Sequence, residues 1–177
     1  MRGPLAGHVG AWRSLVAHLL WEQRVVGSNP IAPTNKIKES AMSSTSTDDL
    51  GKLILRLSLG ILVLLHGLAK LDGGVGWIVG MLDARGLPGF IAYGVYIGEV
   101  VAPVMLILGL WTRAGGLIIA LNMLFAFSLV HMSDLFVIGK SGGWALELQG
   151  MYLFAGIAVA LLGAGSYSLG GRSGRWN

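Results

Sequence analysis

The chain has 177 residues, of which 54% are hydrophobic and only 12% are charged, and it contains no cysteine. This composition, with several apolar runs of about twenty residues, is typical of an integral membrane protein and excludes disulfides, thiolate metal sites and thiol redox chemistry of the chain's own. The formal charge of +4 does not indicate a nucleic-acid partner, because residues 1–41 carry five basic and two acidic residues, a net of +3.

Residues 1–41 differ from the rest of the chain, since their central part has neither helical nor strand periodicity. Residues 27–30 (Gly-Ser-Asn-Pro) back-translate to the T-arm sequence of a transfer RNA gene, and residues 33–34 can encode its terminal CCA. We interpret this segment as a translated tRNA gene and expect the native protein to begin at Met42. The alternative is a targeting peptide, because residues 11–20 are weakly amphipathic and contain a basic but no acidic residue.

The first apolar run, residues 53–71, is long enough to cross a hydrocarbon core of about 30 Å as a helix. It nevertheless contains Arg56, His66 and Lys70, which lie on one side of that helix. A charged side chain that faces lipid near mid-membrane costs at least about 2.5 to 3.5 kcal/mol, so this side should face other helices or a cavity. The first run therefore predicts a bundle around it.

Three further apolar runs follow, at residues 90–110, 114–130 and 148–169. The sequence therefore predicts an all-α fold, a four-transmembrane-helix bundle over residues 52–171, with a polar lead-in at 42–51 and a tail at 172–177. Lysine and arginine are more numerous, five to three, at the ends of the runs that share a side with both termini. This bias places both termini in the cytoplasm. Residues 72–88 predict a short helix on the outer surface.

Glu99 lies near the middle of the second run, four residues before Pro103. Proline has no amide hydrogen to bond the carbonyl of residue 99, so the helix should bend there. Tyr96 lies one turn outward on the same face, where its hydroxyl could bond the Glu99 carboxyl group. The same outer half should contain four further polar residues: His66, Lys70, His131 and Glu147. If these faces converge, they line a polar pocket.

We predict that Glu99 and His66 are catalytic, proton-exchanging groups, because intramembrane ionisable residues are functional candidates by default. The predicted substrate-binding residues are Arg56, Lys70, Tyr96, His131 and Glu147. In the alternative, Glu99 forms an ion pair with Arg56 or Lys70 that only fixes the bundle geometry. We predict no metal site, because the histidines and carboxylates come from different helices without metal-ligand spacing. Asn122 is interpreted as a helix contact.

Four segments in this order resemble the DoxX family of small membrane proteins: residues 56–71 (RLSLGILVLLHGLAKL), 86–88 (GLP), 98–113 (GEVVAPVMLILGLWTR) and 163–169 (GAGSYSL). The resemblance covers about residues 50–170. It implies a four-helix protein of the bacterial cytoplasmic (inner) membrane. The positions that match the family are Arg56, His66, Gly67, Lys70, Glu99, Thr112 and Arg113.

The family takes its name from a subunit linked to thiosulfate:quinone oxidoreduction, so the resemblance implies a membrane oxidoreductase subunit with quinone as the candidate cofactor. The expected partners are the lipid bilayer and a redox subunit, which would supply the electron carrier. The alternative is a non-enzymatic membrane scaffold or a carrier of small solutes, in which the same polar residues hold the bundle together or bind cargo.

Overall fold

The computed structural model of the protein describes residues 34–140, 142–172, 174, 176 and 177, with side chains described from residue 45 onward. The chain divides into two units, Met1–Met42 and Ser43–Asn177, and all the candidate site residues lie in the second. The tRNA-gene interpretation stays a prediction, because residues 1–33 lie outside the described part of the chain.

The described residues are mainly helical. The helices are α1 (Thr34–Gly73), α2 (Gly76–Asp83), α3 (Gly89–Leu108), α4 (Thr112–Leu129) and α5 (Glu147–Leu162). Within the described ranges there is no β-strand, and only an isolated bridge joins Ile138 to Trp144. The predicted all-α class is confirmed, as is a short helix between the first two apolar runs.

Among the residues that the structure describes, three helices are long and apolar enough to cross a membrane: Thr45–Gly73 within α1, then α3 and α4. The fourth, α5, is apolar but has only 16 residues. The prediction that its apolar run continues as a helix to residue 169 is wrong. Gly163 and Gly165 both have a positive φ, which ends the helix at Leu162. The chain then folds back, and the amide of Leu169 donates to the carbonyl of Leu108 at 3.1 Å.

The core of the bundle is apolar and takes side chains from every long helix. It contains Leu59, Val63, Ala102, Leu106, Ile119, Met123, Tyr152 and Val159. On α1, Val63 is fully buried whereas Ile54 and Leu65 are each more than half exposed. The face of α1 that the sequence predicts to turn inward is therefore largely buried, although His66 on that face is exposed, and the leucine- and isoleucine-rich face is free to meet lipid.

Helix α3 departs from α-helical geometry where the sequence predicts a disturbance. Residues Ile97–Val101 form a π-helical turn around Glu99, and a regular α-helix resumes at Ala102. Pro103 explains this change, because it cannot donate to the Glu99 carbonyl and its ring crowds that oxygen. The Glu99 carbonyl therefore cannot take part in the bond to residue 103 that a regular α-helix would have.

Gly67 of α1 occupies the point where this widened turn approaches α1. A Cβ atom on Gly67 would stand 2.1 Å from the Glu99 carbonyl oxygen and 2.7 Å from its carbon. Two turns earlier, a Cβ on Gly60 would be 3.1 Å from the Pro103 carbonyl oxygen. Both glycines are buried, so α1 and α3 make backbone contact along a seam that larger side chains would separate.

Candidate functional site

An ion pair joins α1 to α3 at the centre of the site. The Lys70 ammonium donates to Oε2 of Glu99, and the two side chains are 21% and 8% exposed. Because Glu99 lies inside an apolar helix, its carboxylate needs such a partner to stay charged. The interhelical pair that the sequence leaves open as an alternative for Glu99 is thus present with Lys70.

Two further polar side chains surround this pair. The amide of Asn122 on α4 donates to Oε1 of Glu99 at 3.3 Å, so each carboxylate oxygen has its own donor. Gly98 leaves room for this contact, since a Cβ there would stand 2.4 Å from Cγ of Asn122. Tyr96 does not bond the carboxyl group as predicted. Its hydroxyl donates to the Lys70 carbonyl at 3.1 Å, because that oxygen lies near the C-terminal end of α1 and has fewer partners within the helix.

A small cavity of about 190 Å³ opens between the helices beside the ion pair. Its polar lining consists of His66, Lys70, Trp77, Glu99, His131, Gln149 and Tyr152, and the remaining residues are apolar. The predicted convergence is therefore present for four site residues, His66, Lys70, Glu99 and His131. Titratable groups from α1, α3 and the segment after α4 thus line one small, partly open cavity, in which His66 is exposed.

The two histidines of the cavity are held differently. His66 Nδ1 lies 3.0 Å from the Leu62 carbonyl, which can only accept, so Nδ1 is the donor of this bond and Nε2 takes no part in it. The His66 ring also meets the Tyr152 ring edge-on, with 5.8 Å between centroids. His131 lies between Gln149 at 3.4 Å and Asp134 at 3.5 Å, which connects the cavity to a half-exposed carboxylate.

Arg56 and Glu147 are not brought to this cavity. The Arg56 guanidinium donates to the carbonyls of Leu106 at 2.7 Å and Ile107 at 3.0 Å, and also to that of Tyr167. It thus caps the C-terminal end of α3, where unpaired carbonyls and the helix dipole favour a cation. Glu147 is exposed at the first position of α5. The sequence gives the depth of a residue along its helix but not the direction of its side chain. Arg56 and Glu147 were therefore grouped with the cavity residues although their side chains lie elsewhere.

Replacing Arg56 by methionine is expected to lower the free energy of unfolding by about 3 kcal/mol, because it leaves buried carbonyls without donors. Arg56→Lys should recover only part of this loss, since a single ammonium cannot reproduce the planar fork of donors. Unfolding of the purified protein by sodium dodecyl sulfate in mixed micelles measures the change. Lys52→Met, one turn earlier and partly exposed, is the control. An Arg56→Met protein as stable as the unmodified protein would contradict this assignment.

Three polar lining residues of the cavity, Trp77, Gln149 and Tyr152, were not predicted as site residues from the sequence, and neither was Asn122, which bonds Glu99. Asn122 is the helix contact that the sequence predicts, but its partner is the Glu99 carboxylate. The sequence does contain a signal for Asn122 as a site residue. A side-chain amide near the middle of an apolar run needs a polar partner, as a carboxylate does. Within the described residues, no three histidine or carboxylate side chains gather as a metal site would require.

Comparison with known proteins agrees with this architecture. The DoxX family model matches residues 51–132, which contain α3, α4 and the Lys70–Glu99 pair. The chain is 32% identical over 105 residues to a Bacillus subtilis (strain 168) protein named "Putative oxidoreductase CatD", and this alignment covers 59% of the chain and 78% of that protein. No solved structure matches the chain.

Proposed function

We propose that this chain, which belongs to the DoxX family, is a membrane subunit of an oxidoreductase system that exchanges reducing equivalents with a quinone. The observation that carries the proposal is the Glu99–Lys70 pair, which borders a small cavity together with His66 and His131. Ionisable groups placed so deeply among apolar helices are costly and are typical of functional sites. The name of the Bacillus subtilis relative supports the redox class.

Quinone reduction to quinol takes up two electrons and two protons, so the site must deliver protons where water is scarce. In this proposal, His66 Nε2 and the Glu99 carboxylate exchange those protons, and the Lys70 ammonium orients a quinone oxygen. His131 and Asp134 connect the cavity to solvent. The two electrons come from a partner subunit, since the sequence has neither cysteine nor a recognisable cofactor motif.

The proposed topology has four membrane crossings, with both termini in the cytoplasm of a bacterial cell and the cavity in the outer half of the inner membrane. The excess of lysine and arginine at the ends of the runs that lie beside the termini supports this orientation. The short helix α5 would cross with help from the segment that follows it, since a span of 16 helical residues is somewhat shorter than the hydrocarbon core.

Quinone retention and quinone-reducing activity test the proposal. Protein purified from native-type membranes is expected to carry quinone that organic extraction releases. Glu99→Gln should lower that content and the activity about tenfold or more, because the substitution removes a charge-assisted contact. Glu147→Gln is the matched control, since it makes the same chemical change at an exposed position outside the cavity. Equal quinone contents in the two variants would refute the assignment of Glu99.

A second candidate function is a non-enzymatic scaffold or small-solute carrier. The observation that favours it is that Glu99 bonds both Lys70 of α1 and Asn122 of α4, and so holds three helices together. A purified scaffold would be colourless and contain no quinone. Its Glu99→Gln variant would be less stable, and no quinone-linked activity would be found in either protein. The extraction and activity measurements above distinguish the two functions.

A further inference from the structure

A second and larger concavity lies on the other side of the Lys70–Glu99 pair. This lateral groove, between α2, α3 and α4, has a volume of about 660 Å³, within the range of roughly 300 to 1,000 Å³ that is usual for ligand sites. Its walls are mainly apolar and include Ile78, Leu82, Phe90, Ile97, Leu121 and Phe125. Ile97, Leu121 and Phe125 are each about half exposed, so the groove opens along the side of the bundle that faces lipid.

The two charged groups and the amide of the groove, Lys70, Glu99 and Asn122, form a single connected cluster, and Tyr93 and Trp77 add a hydroxyl and an indole N–H to the lining. Lys70 and Glu99 also border the small cavity described above, whereas Asn122 borders only the groove. The pair therefore lies between the small cavity and the more apolar lateral groove. A ligand in the groove would meet mainly apolar walls, and the charged and amide groups at one place.

The charge of this cluster limits the kind of ligand. The ammonium of Lys70 is neutralised by the carboxylate of Glu99, so the cluster has no net charge to attract a phosphate or a quaternary amine. The Asn122 amide keeps a carbonyl oxygen and one further hydrogen for a neutral partner. We propose that the groove binds a neutral single-chain lipid from the bilayer, with its hydroxyl or carbonyl head at Asn122 and its chain along α3 and α4.

This proposal goes beyond the redox function, because such a lipid binds whether or not it accepts electrons. The fluorescence of Trp77 can report ligand binding, since this residue borders both the small cavity and the lateral groove. The probe is hexadecanol brominated at mid-chain, because bromine quenches indole fluorescence at short range. The contribution of Trp77 is obtained by subtracting the signal of Trp77→Phe, which keeps the other tryptophans.

The expected result is saturable quenching of Trp77 by the brominated alcohol, reversed by unlabelled hexadecanol. Leu121→Phe, which fills the groove, should raise the half-saturating concentration about fivefold or more. Leu124→Phe is the matched control, because it makes the same change on the same helix at a residue of equal exposure that does not line the groove. Asn122→Leu should weaken binding of the alcohol but not of brominated hexadecane.

Two outcomes would overturn the proposal. Quenching that rises linearly and is not displaced by unlabelled alcohol would mean that the groove holds only bulk lipid. Equal quenching by a phosphatidylcholine with the same brominated chain would mean that the head group is not selected. Both outcomes are independent of quinone content, so a failure here is distinguishable from a failure of the redox function.

Discussion

A single methyl group added at Gly67 is expected to destabilise the protein by about 3 kcal/mol or more, which is large for a glycine-to-alanine change. The added Cβ would overlap the Glu99 carbonyl group, and backbone atoms cannot rotate away as the end of a side chain can. Helix α1 would have to move away from α3, which also lengthens the Lys70–Glu99 contact. Unfolding of Gly67→Ala by sodium dodecyl sulfate in mixed micelles measures the loss.

Two glycines of the same helix provide controls. A Cβ on Gly51 would meet nothing within 4 Å, so Gly51→Ala should be neutral or stabilise the helix by up to about 1 kcal/mol. Gly60→Ala should fall between the two, because its closest neighbour is a side-chain carbon of Ile107 at 2.9 Å. If Gly67→Ala and Gly51→Ala have the same free energy of unfolding in this assay, then α1 and α3 do not make the close contact described.

Breaking the Lys70–Glu99 pair is expected to have the second large effect. Lys70→Met leaves a carboxylate with only the Asn122 amide, and Glu99→Gln leaves an ammonium without a counter-charge. Each single variant should lose about 3 to 5 kcal/mol, because an unpaired charge then stays among apolar helices. The double variant should lose much less than the sum of the two, since it contains neither charge.

The coupling energy of this double-mutant cycle decides whether Lys70 and Glu99 pair directly. A value of about 1 to 3 kcal/mol is expected for groups in direct contact. Lys140→Met combined with Glu147→Gln forms the control cycle, because both residues are exposed, and its coupling should be near zero. Additive losses at Lys70 and Glu99 would contradict direct pairing. They would weaken both proposals, since one places the pair at the quinone and the other requires the two charges to neutralise each other.

The inward face of α1 could be predicted from the sequence because one physical rule decides it. Charged groups cannot face lipid, and the residues that share a side with Lys70 at helical spacing include Val63 and Gly67, both buried. The disturbance at Glu99 follows equally from the position of Pro103, since a missing amide hydrogen is a local property. Local chemistry and periodicity were sufficient for these features.

The remaining features depend on contacts between distant segments. Nothing in the sequence around Arg56 distinguishes a ligand-binding arginine from one that caps another helix, because its partners lie 50 or more positions away. The end of α5 at Leu162 coincides with the positive φ of Gly163 and Gly165, and the segment that follows is held by contacts with the end of α3. The partner of Asn122 likewise requires the packing of α3 against α4.

The position of Arg56 has a consequence for how the chain is made. Its carbonyl acceptors belong to the end of α3 and to Tyr167, which is synthesised 111 residues later. While the ribosome is still producing those parts, the first span holds a cation without its final acceptors. We therefore expect the nascent first helix to remain near the bilayer surface or the insertion machinery. Its full insertion should follow only after the last segment has been synthesised.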